Sequence, residues 1–211
     1  MDPKFWHQRW QDRQIGFHRA DVNPLLADHV ERLSLKPGQR IFVPLCGKSV
    51  DLGWLRGRRY SVVGAELHEP AVQELFQELG VTPEVATVGN LKRYRAPGLE
   101  VFAGDLFDLA PNALGPVEAV YDRAALVALP EPIRRRYASH LLTLTDGAPQ
   151  LLITYTYDQT RADGPPFSVT PEFVTDVYAA KFTLHNIHRE DVDGGLKGLP
   201  ATETVWLLTQ K

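Results

Sequence analysis

The stretch RIFVPLCGKSVDLGWL at residues 40–55 decides the fold of this chain. It begins with an apolar, β-prone run at residues 41–43, which is typical of a strand covered on both faces. Pro44 ends the strand because it has no N–H to donate, Gly47 permits a tight turn, and Ser49 is a suitable N-cap for a following helix. A strand, a glycine turn and a helix in this order predict a ligand site at the carboxyl edge of a parallel sheet.

A second strand and an acidic residue follow this unit. Residues 60–65 (YSVVGA) predict another buried strand, and Glu66 stands at its end. Glu66 lies about 20 residues beyond the turn, the interval at which a carboxylate binds ribose hydroxyls in Rossmann-like folds. The turn and the acid together favour a cofactor that contains adenosine. The turn lacks G-x-G-x-x-G, which disfavours a dinucleotide, and Phe42 occupies the position of the first Walker A glycine.

Length, charge and cysteine content limit the class of protein. The 211 residues suit one domain, and a net charge of −3 gives no strong field for nucleic acid or an anionic membrane, so we expect neither partner. The single cysteine excludes an internal disulfide and fits a reducing compartment. No apolar run approaches the roughly 20 residues of a membrane span. We therefore expect a cytoplasmic protein, and we expect it to be a monomer.

Hydrophobic periodicity predicts the remaining elements. Further strands are predicted at residues 99–103, 117–121, 150–157, 182–187 and 204–208, the last two as a hairpin, and helices at residues 68–80 and 130–144 and after Thr170. Residues 81–98 fit neither period and are predicted to be irregular. The basic run at residues 134–136 is predicted to be a solvated helix face.

Two further strand ends carry polar side chains. Asp105 follows the third strand, where a carboxylate can accept from an adenine amine, although a turn aspartate is an equally simple reading. Arg123 follows the fourth strand, where it can contact a cofactor or substrate carboxylate, or pair with Asp122 or another acid. Both alternatives remain open at this point.

The N-terminal segment is rich in aromatic residues. Trp6 and Trp10 are four residues apart and share a face if the segment is helical, and Phe17 follows them. One reading is an amphipathic helix that packs on the domain. The other is a flap, residues 1–20, that lays aromatic rings over a ligand and excludes water.

Other reactive side chains give weaker signals. Cys46 lies in the turn, but no histidine partner can be assigned, so a small residue in a tight turn is the simpler reading than a nucleophile. His185 and His188 are three residues apart, but no cysteine or carboxylate cluster completes a set of ligands. We predict no metal site.

Several motifs resemble one known family. VPLCGKSVDLGWL at 43–55, GDLFDL at 104–109, YDRAALVALP at 121–130 and GPPFSV at 164–169 are similar to bacterial thiopurine S-methyltransferases, as is WHQRWQDRQIGFH at 6–18. The resemblance covers nearly the whole chain. It implies a Rossmann-like class I methyltransferase fold, α/β, with a mostly parallel seven-stranded sheet, helices on both faces and an antiparallel last strand.

The resemblance also implies a methyl donor, S-adenosyl-L-methionine, and positions for it. The implied cofactor-binding residues are Trp10, Phe17, Leu45, Gly47, Glu66, Asp105, Leu106 and Arg123. No catalytic residue is obligatory, because a heteroaromatic thiol is acidic enough to arrive ionised. Arg123 is a candidate contact for the substrate and the transition state.

Three hypotheses follow for the function. The first is S-methylation of thiopurines and related aromatic or heterocyclic thiols, extending to selenium or tellurium compounds; an alternative within it is that tellurite or selenite is the main substrate. The second is a nucleotide-binding regulatory module without catalysis. The third is a nicotinamide-dependent oxidoreductase, which the missing third glycine disfavours.

Overall fold

The computed structural model describes residues 3–211, which form one nine-stranded sheet with helices on both faces. The strands are β1 Arg40–Pro44, β2 Ser61–Glu66, β3 Glu84–Val88, β4 Leu91–Ala96, β5 Leu99–Ala103, β6 Ala119–Asp122, β7 Gln150–Tyr157, β8 Phe182–Asp191 and β9 Ala201–Gln210. Their spatial order is β3-β4-β5-β2-β1-β6-β7-β9-β8. The five central strands, from β5 to β7, are parallel, whereas β9 runs antiparallel to both of its neighbours.

The helices cover the sheet in two layers. They are α1 Pro3–Gln11, α2 Pro24–His29, α3 Val50–Gly57, α4 Glu69–Glu78, α5 Pro111–Leu114, α6 Glu131–Thr145 and α7 Pro171–Tyr178. Within β1, Phe42 belongs to the core cluster with α6 and α7, whereas Ile41 and Val43 belong to the cluster with α2, α3 and α4. This alternation of side chains between two buried faces explains the continuous apolar run, and it confirms the predicted α/β fold.

The structure corrects the prediction for residues 81–98. Instead of being irregular, this segment contains the antiparallel hairpin β3–β4, so the sheet has nine strands rather than seven. Strand β3 lies at the sheet edge and almost all of its residues are exposed. Because neither of its faces is buried, it does not need the strong alternation of apolar and polar residues from which a strand is predicted. The two-residue turn at Gly89 and Asn90 is the remaining sequence signal for the hairpin. The seven other strands lie where the sequence pattern predicts them.

None of the helices within residues 3–211 combines the length and apolar character that a membrane span requires.

Candidate active site

A cavity of about 350 Å³ lies at the carboxyl ends of the central strands, as expected for an open α/β sheet. The segments that follow β1, β2, β5 and β6 line it, together with residues of the N-terminal segment. All eight predicted cofactor-binding residues are on its wall: Trp10, Phe17, Leu45, Gly47, Glu66, Asp105, Leu106 and Arg123. The structure therefore brings the whole predicted set to one site.

The turn after β1 has unusual backbone geometry. Leu45 and Gly47 have φ values of 46° and 54°, in the left-handed region that disfavours a side chain such as that of leucine. The predicted N-cap is confirmed, because the Ser49 hydroxyl accepts a hydrogen bond from the Asp51 N–H at 3.2 Å. The turn and α3 thus form one fixed wall of the cavity.

Cys46 lies inside this turn and is buried. Burial raises the pKa of its thiol well above the usual value, and the nearby carboxylate of Glu66 acts in the same direction. A thiol held protonated is a poor nucleophile, so the geometry supports the reading of Cys46 as a small residue in a tight turn.

Lys48, two residues after Cys46, is also buried, and its Nζ pairs with Glu74 at 2.9 Å and Glu78 at 2.6 Å on α4.

Glu66 links two parts of the site. Its Oε2 accepts from the Gly47 N–H and its Oε1 from the His68 N–H, both at 2.8 Å. The side chain is buried, with 6% of the residue exposed. Burial raises the pKa of this carboxyl, although the hydrogen bonds from the backbone act in the opposite direction. Because each carboxylate oxygen has a second lone pair, Glu66 can still accept from a ligand in the cavity.

The structure shows the turn role of Asp105 and places the residue on the cavity wall. Its Oδ1 accepts from the Phe107 N–H at 2.9 Å and caps the short 3-10 turn Leu106–Asp108, so it is a turn aspartate. It also lines the cavity and is exposed, which leaves its second oxygen for a ligand. Leu106 is buried beside it.

Arg123 does not form the predicted alternative pair with Asp122. Its Nη1 donates to the carbonyl of Phe17 at 2.7 Å, and none of the ion pairs within residues 3–211 includes it. Asp122 is fully buried and accepts from the Tyr137 hydroxyl at 2.7 Å and the Leu126 N–H at 3.1 Å. Burial raises the pKa of Asp122 to about 6. The guanidinium of Arg123 therefore faces the cavity without a carboxylate partner.

The N-terminal helix packs directly over the turn after β1. The Trp10 ring is 5% exposed, stacks on His68 with centroids 5.7 Å apart and meets Phe17 edge-on at 5.4 Å. A Cβ built on Gly47 would lie 3.1 Å from the Trp10 ring, a tight contact, and the positive φ of this residue also favours glycine. The same ring of Trp10 therefore packs on the domain and lines the cavity, so the two predicted readings of this segment do not exclude each other. Residues 1–2 of the predicted flap lie outside the described residues.

Sequence reasoning missed most of one end of the cavity. Its additional lining includes Val127, Leu129, Ile133, Tyr155, Pro165, Pro166 and Leu196. These residues come from four separate segments that the fold brings together, and the only local signal was the GPPF loop near the same sheet edge. The structure also corrects the basic run at residues 134–136, because Arg134 is buried rather than solvated, with 5% exposed.

Metal ligands do not assemble near this site. In the part of the chain that the structure describes, no three His, Cys, Asp or Glu side chains cluster in a way that could hold a metal ion.

Comparison with solved structures supports the fold. A S-adenosylmethionine-dependent methyltransferase from Anabaena variabilis matches with a TM-score of 0.66 at 12% identity, over 99% of this chain and 95% of that one. Magnesium protoporphyrin IX methyltransferase from Synechocystis, whose structure holds S-adenosylhomocysteine, matches with a TM-score of 0.64 at 17% identity, over 96% and 94%.

Comparison of sequences identifies the family. The thiopurine S-methyltransferase family model matches residues 1–210. A thiopurine S-methyltransferase of Xanthobacter autotrophicus is 56% identical over 210 residues, which are 99% of each chain. That of Teredinibacter turnerae is 50% identical over 211 residues, covering 100% of this chain and 98% of its own. The chain belongs to the thiopurine S-methyltransferase family.

Proposed function

We propose that the cavity binds S-adenosylmethionine through the eight predicted residues and that the chain methylates the sulfur of thiopurines and related aromatic or heterocyclic thiols. Family membership makes the chain a S-adenosylmethionine-dependent methyltransferase. The proposal therefore concerns how its residues divide the work and which acceptors it takes. The observation that carries it is that the residues expected to contact the adenine, the ribose, the methionine part and the acceptor follow four different strands and all line one cavity.

The order of the strands gives a layout for the two substrates. Asp105 follows β5, Glu66 ends β2, the Leu45–Gly47 turn follows β1, and Arg123 follows β6, which are adjacent strands in this order. We assign the adenine to Asp105 and Leu106, the ribose to Glu66 and the methionine part to the turn. Neighbouring strands are roughly 4.8 Å apart, so the path from β5 to β7 spans about 19 Å, enough for an extended cofactor and a flat acceptor in line.

Methyl transfer in this layout needs positioning more than proton transfer. S-adenosylmethionine supplies an electrophilic methyl group to the acceptor sulfur by in-line displacement, and the electron pair of the broken bond stays on the donor sulfur. Trp10 and Phe17 exclude water from the cavity, and the turn after β1 fixes the donor end. A heteroaromatic thiolate arrives ionised, so no side chain has to remove its proton.

Arg123 has the charge and the place to steady that thiolate. Its guanidinium lacks a carboxylate partner within residues 3–211 and is fixed at one nitrogen by the Phe17 carbonyl. A planar guanidinium with free N–H groups can face an anionic sulfur or the ring beside it. Because Phe17 belongs to the N-terminal segment, Arg123 links this segment to the proposed binding site of the acceptor.

The lining favours an organic acceptor over a small oxyanion. The part of the lining that β7 and the segment after β6 supply includes apolar and aromatic groups, among them Val127, Ile133 and Tyr155. A flat heterocycle buries apolar surface there, whereas tellurite or selenite would gain nothing from that surface and would rely on Arg123 for its hydrogen bonds. Selenium and tellurium compounds remain within the proposal as softer analogues of the thiol.

The proposal includes the form of the enzyme. Residues 1–211 act as one methyltransferase domain, of which residues 1–20 are a flap that opens to admit the cofactor. We further propose a monomer that works in the cytoplasm, in keeping with its single, free and buried cysteine. Light scattering of the purified chain tests the monomer, with a mass of 23.7 kDa as the expected result.

A methyl-transfer screen tests the function. The purified chain and S-adenosylmethionine are incubated with a thiopurine, an aryl thiol, a selenol, selenite or tellurite, and methylated product and S-adenosylhomocysteine are quantified. We expect equal amounts of both products, with the highest kcat/KM for the heteroaromatic thiols. A higher kcat/KM for tellurite or selenite would reverse the assignment of the main substrate, and no turnover with any acceptor would refute the proposal.

A further inference from the structure

We propose that Arg134 is a positioning residue that fixes the acceptor end of the cavity by joining two of the segments that line it. The inference rests on the proposed function, since it assigns a role in acceptor binding. Arg134 belongs to α6 and is the first of three consecutive arginines. Within residues 3–211 its hydrogen bonds and ring contacts involve none of the proposed cofactor-binding residues.

The burial of Arg134 is unusual for its residue type. Only 5% of it is exposed, and none of the ion pairs within residues 3–211 includes it. Its Nε donates to the Leu129 carbonyl at 3.0 Å and its Nη1 to the Ser168 carbonyl at 2.9 Å. The guanidinium lies 4.8 Å from the ring centroid of Phe173 and 5.9 Å from that of Phe167. A buried cation is therefore satisfied by two carbonyls and two aromatic faces.

Its two hydrogen bonds reach two adjoining segments that line one end of the cavity. Leu129, in the connection between β6 and α6, lines the cavity. Ser168 ends the loop whose Pro165 and Pro166 also line it. By the strand order this is the end next to Arg123 and farthest from Asp105, where the acceptor lies in the proposed layout. Arg134 thus adds a second link between the two segments that line the proposed acceptor end.

The loop that contains Pro165 and Pro166 has other hydrogen bonds, so loss of the bond from Arg134 should shift this loop rather than unfold it. The Phe167 N–H donates to the Val127 carbonyl at 2.6 Å, and the Tyr157 hydroxyl donates to the Pro166 carbonyl at 2.7 Å. A small displacement of a wall weakens a reaction that depends on alignment of two sulfurs. The cofactor end is built from bonds of Glu66 and the turn after β1, which Arg134 does not touch.

The neighbouring arginine provides a matched control. Arg135 has 49% of its side chain exposed and pairs with Asp176 at 2.6 Å and Glu131 at 3.3 Å on the surface. Arg134→Met and Arg135→Met therefore remove the same charge from adjacent positions of one helix. Arg134→Lys keeps the charge but cannot span both carbonyls with a planar fork.

The experiment separates acceptor binding from cofactor binding. For Arg134→Met we expect the acceptor KM to rise about tenfold or more, with the Kd of S-adenosylhomocysteine within about twofold of wild type. Arg134→Lys should recover part of the loss, and Arg135→Met should match wild type. Unchanged acceptor KM in Arg134→Met would overturn the inference, and so would an equal loss of cofactor affinity, which indicates a purely structural role.

A second readout does not depend on activity. Hydrogen exchange should become faster at the Phe167 and Ser168 amides in Arg134→Met, with little change in the central strands, and unchanged exchange there would also overturn the inference. If wild type methylates no thiol, the proposed function fails, whereas the exchange result still decides whether Arg134 fixes these segments.

Discussion

Replacing Glu66 by glutamine probes the residue on which the cofactor assignment chiefly depends. Both of its carboxylate oxygens already accept backbone N–H bonds, from Gly47 and His68 at 2.8 Å. Glutamine has one oxygen, so its NH₂ group must face one of these donors. The variant also loses the charged acceptor for the ribose hydroxyls. We therefore expect effects on both the turn and the ligand.

The magnitudes follow from these bonds. A hydrogen bond to a charged group contributes about 1.5–3 kcal/mol, but burial raises the pKa of Glu66, so removing the charge also relieves a desolvation cost. We expect the free energy of unfolding to fall by roughly 1 kcal/mol, which lowers Tm by about 2–4 °C for a chain of this size. Loss of the ribose contact should weaken binding by about 1–3 kcal/mol, a Kd increase of about 5–150-fold.

Calorimetric titration with S-adenosylhomocysteine measures the affinity, and thermal unfolding measures the stability. Glu69→Gln is the control, because Glu69 is three residues away but is not among the cavity-lining residues, and it accepts from Lys92 at 2.8 Å and from the Tyr94 hydroxyl at 2.6 Å. The control should bind like wild type. A folded Glu66→Gln with unchanged Kd, or a control that loses as much affinity, would refute the reasoning.

Three further predictions concern the cover and the acceptor. Arg123→Ala should lower kcat at saturating cofactor, and Arg123→Lys should recover only part of it; normal kcat with a reduced Tm would mean a structural role alone. Amides of α1 should exchange faster in the free chain than with S-adenosylhomocysteine, and equal strong protection in both would favour a permanently packed helix. Finally, His68 shares a 2.9 Å Nδ1–Nδ1 hydrogen bond with His7, and burial lowers its pKa, with His7 adding to the effect. His68 therefore binds a proton more readily when the N-terminal segment is released than when it is packed, so the packing should weaken as pH falls through about 6.5. The measurement is the protection factor of the α1 amides, corrected for the intrinsic effect of pH on exchange, which should be lower at about pH 5.5 than at about pH 7.5.

The sequence predicted the parts of the site whose signals are local. The turn at Gly47 and the acid at Glu66 are set by a strand, a break and a second strand within 30 residues or so, and their geometry depends on backbone rules that every chain obeys. The same local rules failed for β3. Its side chains are exposed at the sheet edge, so apolar alternation is absent and only the Gly-Asn turn marks the hairpin.

Long-range packing accounts for the other misses. Arg134 lies in a run of arginines that looks solvated, and it is buried because the loop ending at Ser168 folds over it. Tyr155 and Leu196 reach the cavity from segments far apart in the chain, and no spacing rule links them. The bond from Arg123 to the Phe17 carbonyl joins residues 106 positions apart and replaces the simpler pair with its neighbour Asp122. Such contacts become visible only when the topology is known.

A crystal structure with S-adenosylhomocysteine and a thiopurine tests the central claim most directly. We expect the ribose hydroxyls within hydrogen-bonding distance of Glu66, the adenine beside Asp105 and Leu106, and the acceptor sulfur next to Arg123, facing the donor sulfur. Electron density for the cofactor away from Glu66, or for the thiopurine outside the space between Arg123 and the loop at Pro165 and Pro166, would contradict it.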